Sequence, residues 1–224
     1  MTATMRRLAA IGTAAAAALA FAAACNSSRP PDDEGAYLKE IADARAAKDA
    51  TFRTDSGPVP ASLRAKLVPL AYFPIEPGYR VPAALRPPPA AEAGASDRPG
   101  LVLDMATSTG AMRQMRRVGT LEFTLNGQAL HLTAFVEVGA RDLDHLFVPF
   151  RDQTTGGDTY GGGRYLDLDR NATGIYEMDF NRAYQPYCYF NPTFECPFPP
   201  AENLLPVPIR AGERLKSSKQ GASS

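Results

Sequence analysis

The feature that most constrains this chain is a two-residue turn between two alternating runs. Leu121, Phe123 and Leu125 alternate with Glu122 and Thr124, Asn126-Gly127 follows, and alternation resumes with Leu130, Leu132, Ala134, Val136 and Val138. A period of two puts each apolar set on one face of a strand, and both central positions of the tightest hairpin turn require positive φ, which Asn-Gly tolerates. The segment therefore predicts an antiparallel hairpin with one buried face. Leu146–Phe150, Tyr165–Leu168 and Ile175–Phe180 read as further strands, the last two joined by a turn over residues 169–174. Leu70–Leu85 carries prolines at 74, 77 and 82 and suits short edge strands and loops. Arg86–Pro99, rich in proline and small residues, reads as an exposed loop. Ahead of the strands, Tyr37, Ile41, Ala44 and Ala47 recur at helical spacing within Tyr37–Arg53, and Ala61–Leu67 makes a second short helix behind Pro60. The expected fold is mainly β (α+β): an antiparallel meander forming a small sandwich or barrel, with the N-terminal amphipathic helix packed on it.

The N-terminus sets the location. Arg6 and Arg7 precede an apolar, alanine-rich stretch from Leu8 to Ala24, too poor in large side chains for a typical membrane span. It ends in Leu19-Ala-Phe-Ala-Ala-Ala-Cys25, which resembles the cleavage motif of bacterial lipoproteins, with Ala22 where leucine is commonest. That resemblance implies a signal peptide over 1–24, a diacylglycerol thioether on Cys25 and further acylation by palmitate or a similar chain. Two or more such chains anchor a protein stably in a bilayer. Residues 25–35 then form a flexible tether, 36–215 a single β-rich domain and 216–224 a polar tail. The expected destination is the cell envelope: the outer membrane facing the periplasm in a diderm cell, with Asn26 rather than aspartate after the cysteine, and otherwise the cell surface.

Charge excludes one large class of partner. The chain has 24 basic and 24 acidic side chains, and loss of Arg6 and Arg7 leaves it slightly acidic, so nothing steers it toward nucleic acid. No nucleotide-binding glycine fingerprint and no nucleophile elbow is present. Asp167-Leu-Asp169-Arg-Asn171 opens like a calcium loop but then departs, with Ala172 in place of the required glycine and Met178 in place of the closing glutamate. No metal and no cofactor beyond the lipid on Cys25 is expected.

Three constellations remain. Cys188 and Cys196 are left once Cys25 is acylated, and an oxidising compartment favours a disulfide between them. Their spacing is not that of a C-x-x-C redox motif, and two histidines in the whole chain are few for a metal set. The glycine-rich run from Thr154 to Arg164, with Arg151 and Asp152 just ahead, offers backbone N–H groups and two guanidinium groups to an anion; Thr155, Thr159, Tyr160 and Arg164 are its candidate contacts. The competing reading is a connection whose glycines only supply positive φ. Asp179, Asn181 and Tyr184 form a polar-aromatic cluster that either lines a ligand site or caps a loop through Asx hydrogen bonds. His131 falls on the outward phase of its strand, and His145 stands at a strand entrance near acids that can orient it.

Several phrases go beyond composition. Tyr72-Phe-Pro, Ala106-Thr-Ser-Thr-Gly110, Phe147 to Gly156, Asp158 to Asp167, Asp179 to Cys188 and Cys196 to Asn203, in this order, resemble the bacterial and archaeal family called domain of unknown function 1684. The resemblance is most specific in the C-terminal half and thinnest over Arg86–Asp97. It implies no activity. Two functions stay open: an envelope lipoprotein that binds a small anionic ligand or an envelope protein, and an extracytoplasmic hydrolase acting on an anionic or carbohydrate substrate.

Overall fold

Asn126 and Gly127 sit at φ 50° and 78°, and the ladder closes directly on them with Leu125 opposite Gln128. The hairpin is thus built as the sequence dictates. The structure is a computed structural model, and residues 31–88 and 101–216 are described. The signal peptide, Cys25 and most of the tether, the greater part of the 86–99 loop and residues 217–224 lie outside the described residues. In chain order the elements are helices α1 (Pro31–Phe52) and α2 (Ala61–Leu67), then strands β1 (Ala71–Tyr72), β2 (Arg80–Arg86), β3 (Leu101–Ala106), β4 (Met112–Leu125), β5 (Gln128–Glu137), β6 (His145–Phe150), β7 (Arg164–Asp169) and β8 (Tyr176–Asp179). A four-residue helix α3 (Tyr187–Phe190) and strand β9 (Glu213–Arg214) follow.

Seven strands form one antiparallel sheet in the order β7-β6-β5-β4-β2-β8, with β3 also paired to β4. Its end strands β7 and β8 meet, and Arg170 bridges to Tyr176, so the sheet curls into a nearly closed barrel. Of the two architectures expected, the barrel is the one adopted. β2 and β3 run along the same edge of β4: Arg86 faces Thr120, while Leu101 faces Arg117. The two strands thus face almost consecutive stretches of β4. At this junction β4 carries a bulge between Arg117 and Gly119. A Cβ on Gly119 would stand 2.3 Å from the carbonyl oxygen of Arg86, so the close approach of β2 demands glycine.

The barrel interior is filled by Leu121, Phe123, Leu132, Leu146, Val148, Phe150, Leu166, Leu168, Met178 and Phe180, all buried. α1 begins at Pro31, ahead of Tyr37, and its inner face differs from the one its alanines suggest. Tyr37, Ile41 and Phe52 are buried, but Ala44 and Ala47 are exposed. The intervening inner positions are Arg45 and Lys48, because these carry the bonds: Arg45 donates to the carbonyls of Phe73 (3.0 Å) and Asn181 (3.3 Å), and Lys48 pairs with Glu213 at 2.5 Å. The helix is held by polar side chains rather than by an apolar stripe.

Candidate functional site

Alternation in β6 and β7 divides their side chains. Leu146, Val148, Phe150, Arg164, Leu166 and Leu168 point into the barrel. His145 and Phe147 of β6, with Tyr165, Asp167 and Asp169 of β7, occupy the outer face, and the register sets His145 opposite Asp169 and Phe147 opposite Asp167. The segment from Tyr184 to Pro197 folds over this face. Tyr165 and Tyr184 exchange backbone hydrogen bonds at 2.9 and 3.0 Å, and the Tyr165 hydroxyl donates to the Pro197 carbonyl at 2.6 Å. Between sheet and overhang lies a groove of about 620 Å³, within the range of small-ligand sites.

The groove has aromatic walls and a polar floor. Phe147 and Tyr165 meet edge to face at 4.7 Å, Tyr165 and Tyr184 at 5.7 Å, and Tyr187 and Phe194 form the outer lip at 5.4 Å. The Tyr184 hydroxyl donates to Oδ2 of Asp167 at 2.7 Å. Asp167 opens to the groove but is crowded by protein on its other sides; this partial desolvation raises its pKa, against the lowering effects of the Tyr184 hydrogen bond and the nearby Lys48 charge. Beside it, Nδ1 of His145 lies 2.5 Å from Oδ1 of Asp169, a hydrogen bond that raises the imidazole pKa. The two cations at the groove are already engaged: Lys48 is paired with Glu213 and lies 4.7 Å over the Tyr184 ring, and Arg113 is paired with Glu137 at 2.5 Å. Asp167, Asp169 and Glu195 leave the lining acidic in balance.

Of the nine residues that the sequence nominates for ligand binding, only Tyr184 lines this groove. Arg164 and Asp152 are buried and joined at 2.9 Å, and Arg164 also donates to the carbonyls of Ile209, Ala211 and Glu213. Asp152 accepts from the backbone N–H groups of Thr154 (2.6 Å) and Ile209 (3.3 Å). The glycine-rich run is a turn closed on itself, with Thr155 Oγ1 accepting from Asp152 N–H and the Thr154 and Thr159 hydroxyls 3.0 Å apart. Arg151 and Tyr160 line a separate, shallower depression with Phe198. Asp179 accepts from the Asn181 N–H at 3.0 Å as an Asx cap and from the hydroxyl of Tyr37 at 2.9 Å, while Asn181 Nδ2 donates to the Glu76 carbonyl at 2.9 Å. Asp152, Thr155, Thr159, Arg164, Asp179 and Asn181 thus have partners within the fold.

Cys188 and Cys196, expected as a bridge, stand as two free buried thiols in contact, with the Cys188 N–H donating to Sγ of Cys196 at 3.2 Å. Ser108 braces the overhang: its hydroxyl donates to the Phe194 carbonyl and accepts from the Cys196 N–H. Asn171 Oδ1 caps its own turn by accepting from the Thr173 and Ile175 N–H groups, while the nearby Asp169 bonds His145. Among the described residues no group of three or more His, Cys, Asp or Glu side chains is placed to hold a metal ion.

Residues 66–214 match the model of the family described as "Protein of unknown function (DUF1684)". The chain belongs to this family. The DUF1684 barrel is also similar to a solved structure, the solution NMR structure of an uncharacterised protein from Haloarcula marismortui. The two are 34% identical, the match covers 82% of this chain and 97% of that one, and the TM-score is 0.61. No curated protein matches the chain. The groove of this DUF1684 domain lies wholly on elements after Met112 apart from Lys48 of α1, so all but that one of its lining residues fall within the matched range.

Proposed function

We propose that this DUF1684 protein is an exported, lipid-anchored domain that binds a small ligand in the groove over β6 and β7. The anchor reading is supported by the Arg6-Arg7 start, the apolar stretch and Cys25. The binding reading is carried by one observation: an open cavity that combines aromatic walls with the hydrogen-bonded carboxylate Asp167 and the His145–Asp169 pair. Its ligand is ring-bearing and neutral or cationic, such as a carbohydrate or an amine. An anionic ligand is less well matched, because Lys48 and Arg113 already have carboxylate partners and the remaining lining is acidic. Titrating isotope-labelled protein with neutral oligosaccharides, aromatic amines and small carboxylates tests this. Shifts confined to the groove, with affinity reduced ~10-fold or more by Asp167→Ala and unchanged by Arg151→Ala, are expected. Preference for anions, or loss on Arg151→Ala alone, overturns it. Labelling with a palmitate analogue that persists after Cys25→Ala overturns the anchor.

A hydrolase is the second reading, favoured by the arrangement of Asp167 and Asp169. Two residues apart on one strand, they share a face with Cα atoms ~7 Å apart. Partial desolvation raises the Asp167 pKa and Asp169 is hydrogen-bonded to His145, so the two carboxyls have different surroundings, as general acid and base require. Turnover of an aryl glycoside that Asp167→Asn abolishes without loss of binding supports this reading; the absence of turnover across such substrates leaves binding alone.

A further inference from the structure

The thiol pair lies outside everything the groove reading uses except one wall. Cys196 contributes to that wall, Cys188 is the more accessible of the two residues at 8% exposure, and hydroxyl groups surround both. Tyr160 packs beside the pair, while the Ser108 hydroxyl accepts from the Cys196 N–H and gives its proton to the Phe194 carbonyl, as Tyr165 gives its own to the Pro197 carbonyl. Phe147, Tyr160 and Tyr184 complete an aromatic jacket around the pair, and none of the groups that set its ionisation is a charged side chain. Two sulfurs in contact share one proton well: the first leaves readily because the second thiol donates to the thiolate that remains, and the second proton is correspondingly held. The shift brings Cys188 down to about 6 and pushes Cys196 up. Cys196 lines the open groove and Cys188 packs against it, so the pair lies within reach of a small molecule that enters there.

We propose that Cys188 and Cys196 are a thiol–disulfide exchange site whose substrate is a small disulfide. The Cys188 thiolate attacks one sulfur of R–S–S–R, a Cys188–S–S–R bond forms and R–S⁻ leaves. Cys196 then gives up its proton, attacks the Cys188 sulfur and expels the second R–S⁻. The pair ends as a Cys188–Cys196 disulfide, two electrons have passed to the substrate, and two molecules of R–SH result once the leaving thiolates take up protons. The reverse sequence reduces the pair as two molecules of R–SH are oxidised to R–S–S–R.

The test uses the full chain, reduced with dithiothreitol and desalted without air, with each cysteine followed by peptide mass spectrometry so that Cys25 is counted apart. Iodoacetamide alkylation of Cys188 between pH 5 and 9 should rise with a midpoint about 6. At pH 6.5 that corresponds to about 75-fold more thiolate than an unperturbed cysteine carries. Oxidised glutathione should convert wild type to the internal disulfide, and dithiothreitol should restore it under native conditions. Cys196→Ser should stop at a glutathione adduct on Cys188, and Cys188→Ser should accumulate none on Cys196. An alkylation midpoint at the ordinary thiol value, thiols that react only after denaturation, or a bridge that native protein does not release to dithiothreitol overturns the proposal. The wild-type measurements decide the matter even where a serine variant does not fold.

Discussion

Replacing Asp152 by alanine tests the conclusion that the most site-like residues are structural. Arg164 is 1% exposed and donates to four oxygens, of which only Asp152 Oδ2 belongs to a charged group. Asp152→Ala leaves the guanidinium buried against three carbonyls and strips the Thr154 and Ile209 N–H groups of their acceptor. Removing one partner of a buried pair costs about 3–5 kcal/mol, and each orphaned N–H falls within that range rather than adding to it, because water can enter the space vacated. For a domain of this size the corresponding drop in Tm is about 6–20 °C. Urea unfolding followed by circular dichroism measures the difference. Asp152→Asn keeps an acceptor oxygen and should lose less. A loss below ~1 kcal/mol for Asp152→Ala would refute the reasoning, since three carbonyls would then suffice to hold the charge. Normal stability together with lost affinity for anions would return the glycine-rich turn to candidacy as a binding site.

Four other outcomes are expected. Tyr37→Phe removes the hydroxyl that donates to Asp179 and accepts from Asn181, and should cost about 1.5–3 kcal/mol in the same unfolding assay. Gly119→Ala places a Cβ against the Arg86 carbonyl and should destabilise by about 1–3 kcal/mol through strain between β2 and β4. The imidazole of His145, measured by proton NMR, should titrate above its ordinary 6.5 and return toward it in Asp169→Asn; because the folded value is raised, this pair contributes stability below pH 6.5 and loses it as pH rises through the folded value. In Tyr184→Phe the Asp167 carboxyl loses a hydrogen bond that holds its pKa down, so its carbon-13 titration should move further upward; no movement would mean that the hydroxyl does not reach it.

The hairpin at Asn126-Gly127 was legible because turn chemistry and alternation agree there. The first half of β4 was not. Met112 to Val118 lacks alternation since Arg116 is buried, donating to the Ala140 carbonyl, while Met115 packs on the other face against Phe135, and the bulge then changes the phase. Arg164 shows the opposite case, a legible signal overruled by composition. Its phase with Leu166 and Leu168 already places it inside the barrel, yet the neighbouring glycines suggested an anion site. Apart from Tyr184, the groove residues were illegible for a simpler reason. Asp167, Asp169 and His145 occupy outward positions, and outward polar residues ordinarily meet only water. What makes them a site is the 184–197 overhang, and its position depends on Tyr165 bonds that no local pattern announces.

The buried polar groups also explain how the C-terminal segment can be both irregular and fixed. From Pro197 to Lys216 it has only a 3₁₀ turn at Ala201–Asn203 and the two residues of β9, so most of its backbone finds no ladder. Main-chain groups of Ala106, Arg151, Asp158 and Ala183 pair part of it, Arg164 pairs three more of its carbonyls, and its own Asn203 and Glu213 side chains serve backbone elsewhere. Asn203 accepts from the Thr133 N–H and donates to the Thr133 and Pro149 carbonyls, Arg164 takes three carbonyls between Ile209 and Glu213, and Glu213 accepts from the Gln185 N–H. An unpaired buried backbone group is costly, so each of these residues serves the chain path. Arg164 and Asn203 fall within the distinctive phrases of the C-terminal half. A domain recognised by those phrases is recognised by how it closes. The same phrases also hold Phe147, Tyr165, Asp167, Tyr184 and Tyr187 of the groove, so the outward face of β6 and β7 is where the proposed ligand is to be sought.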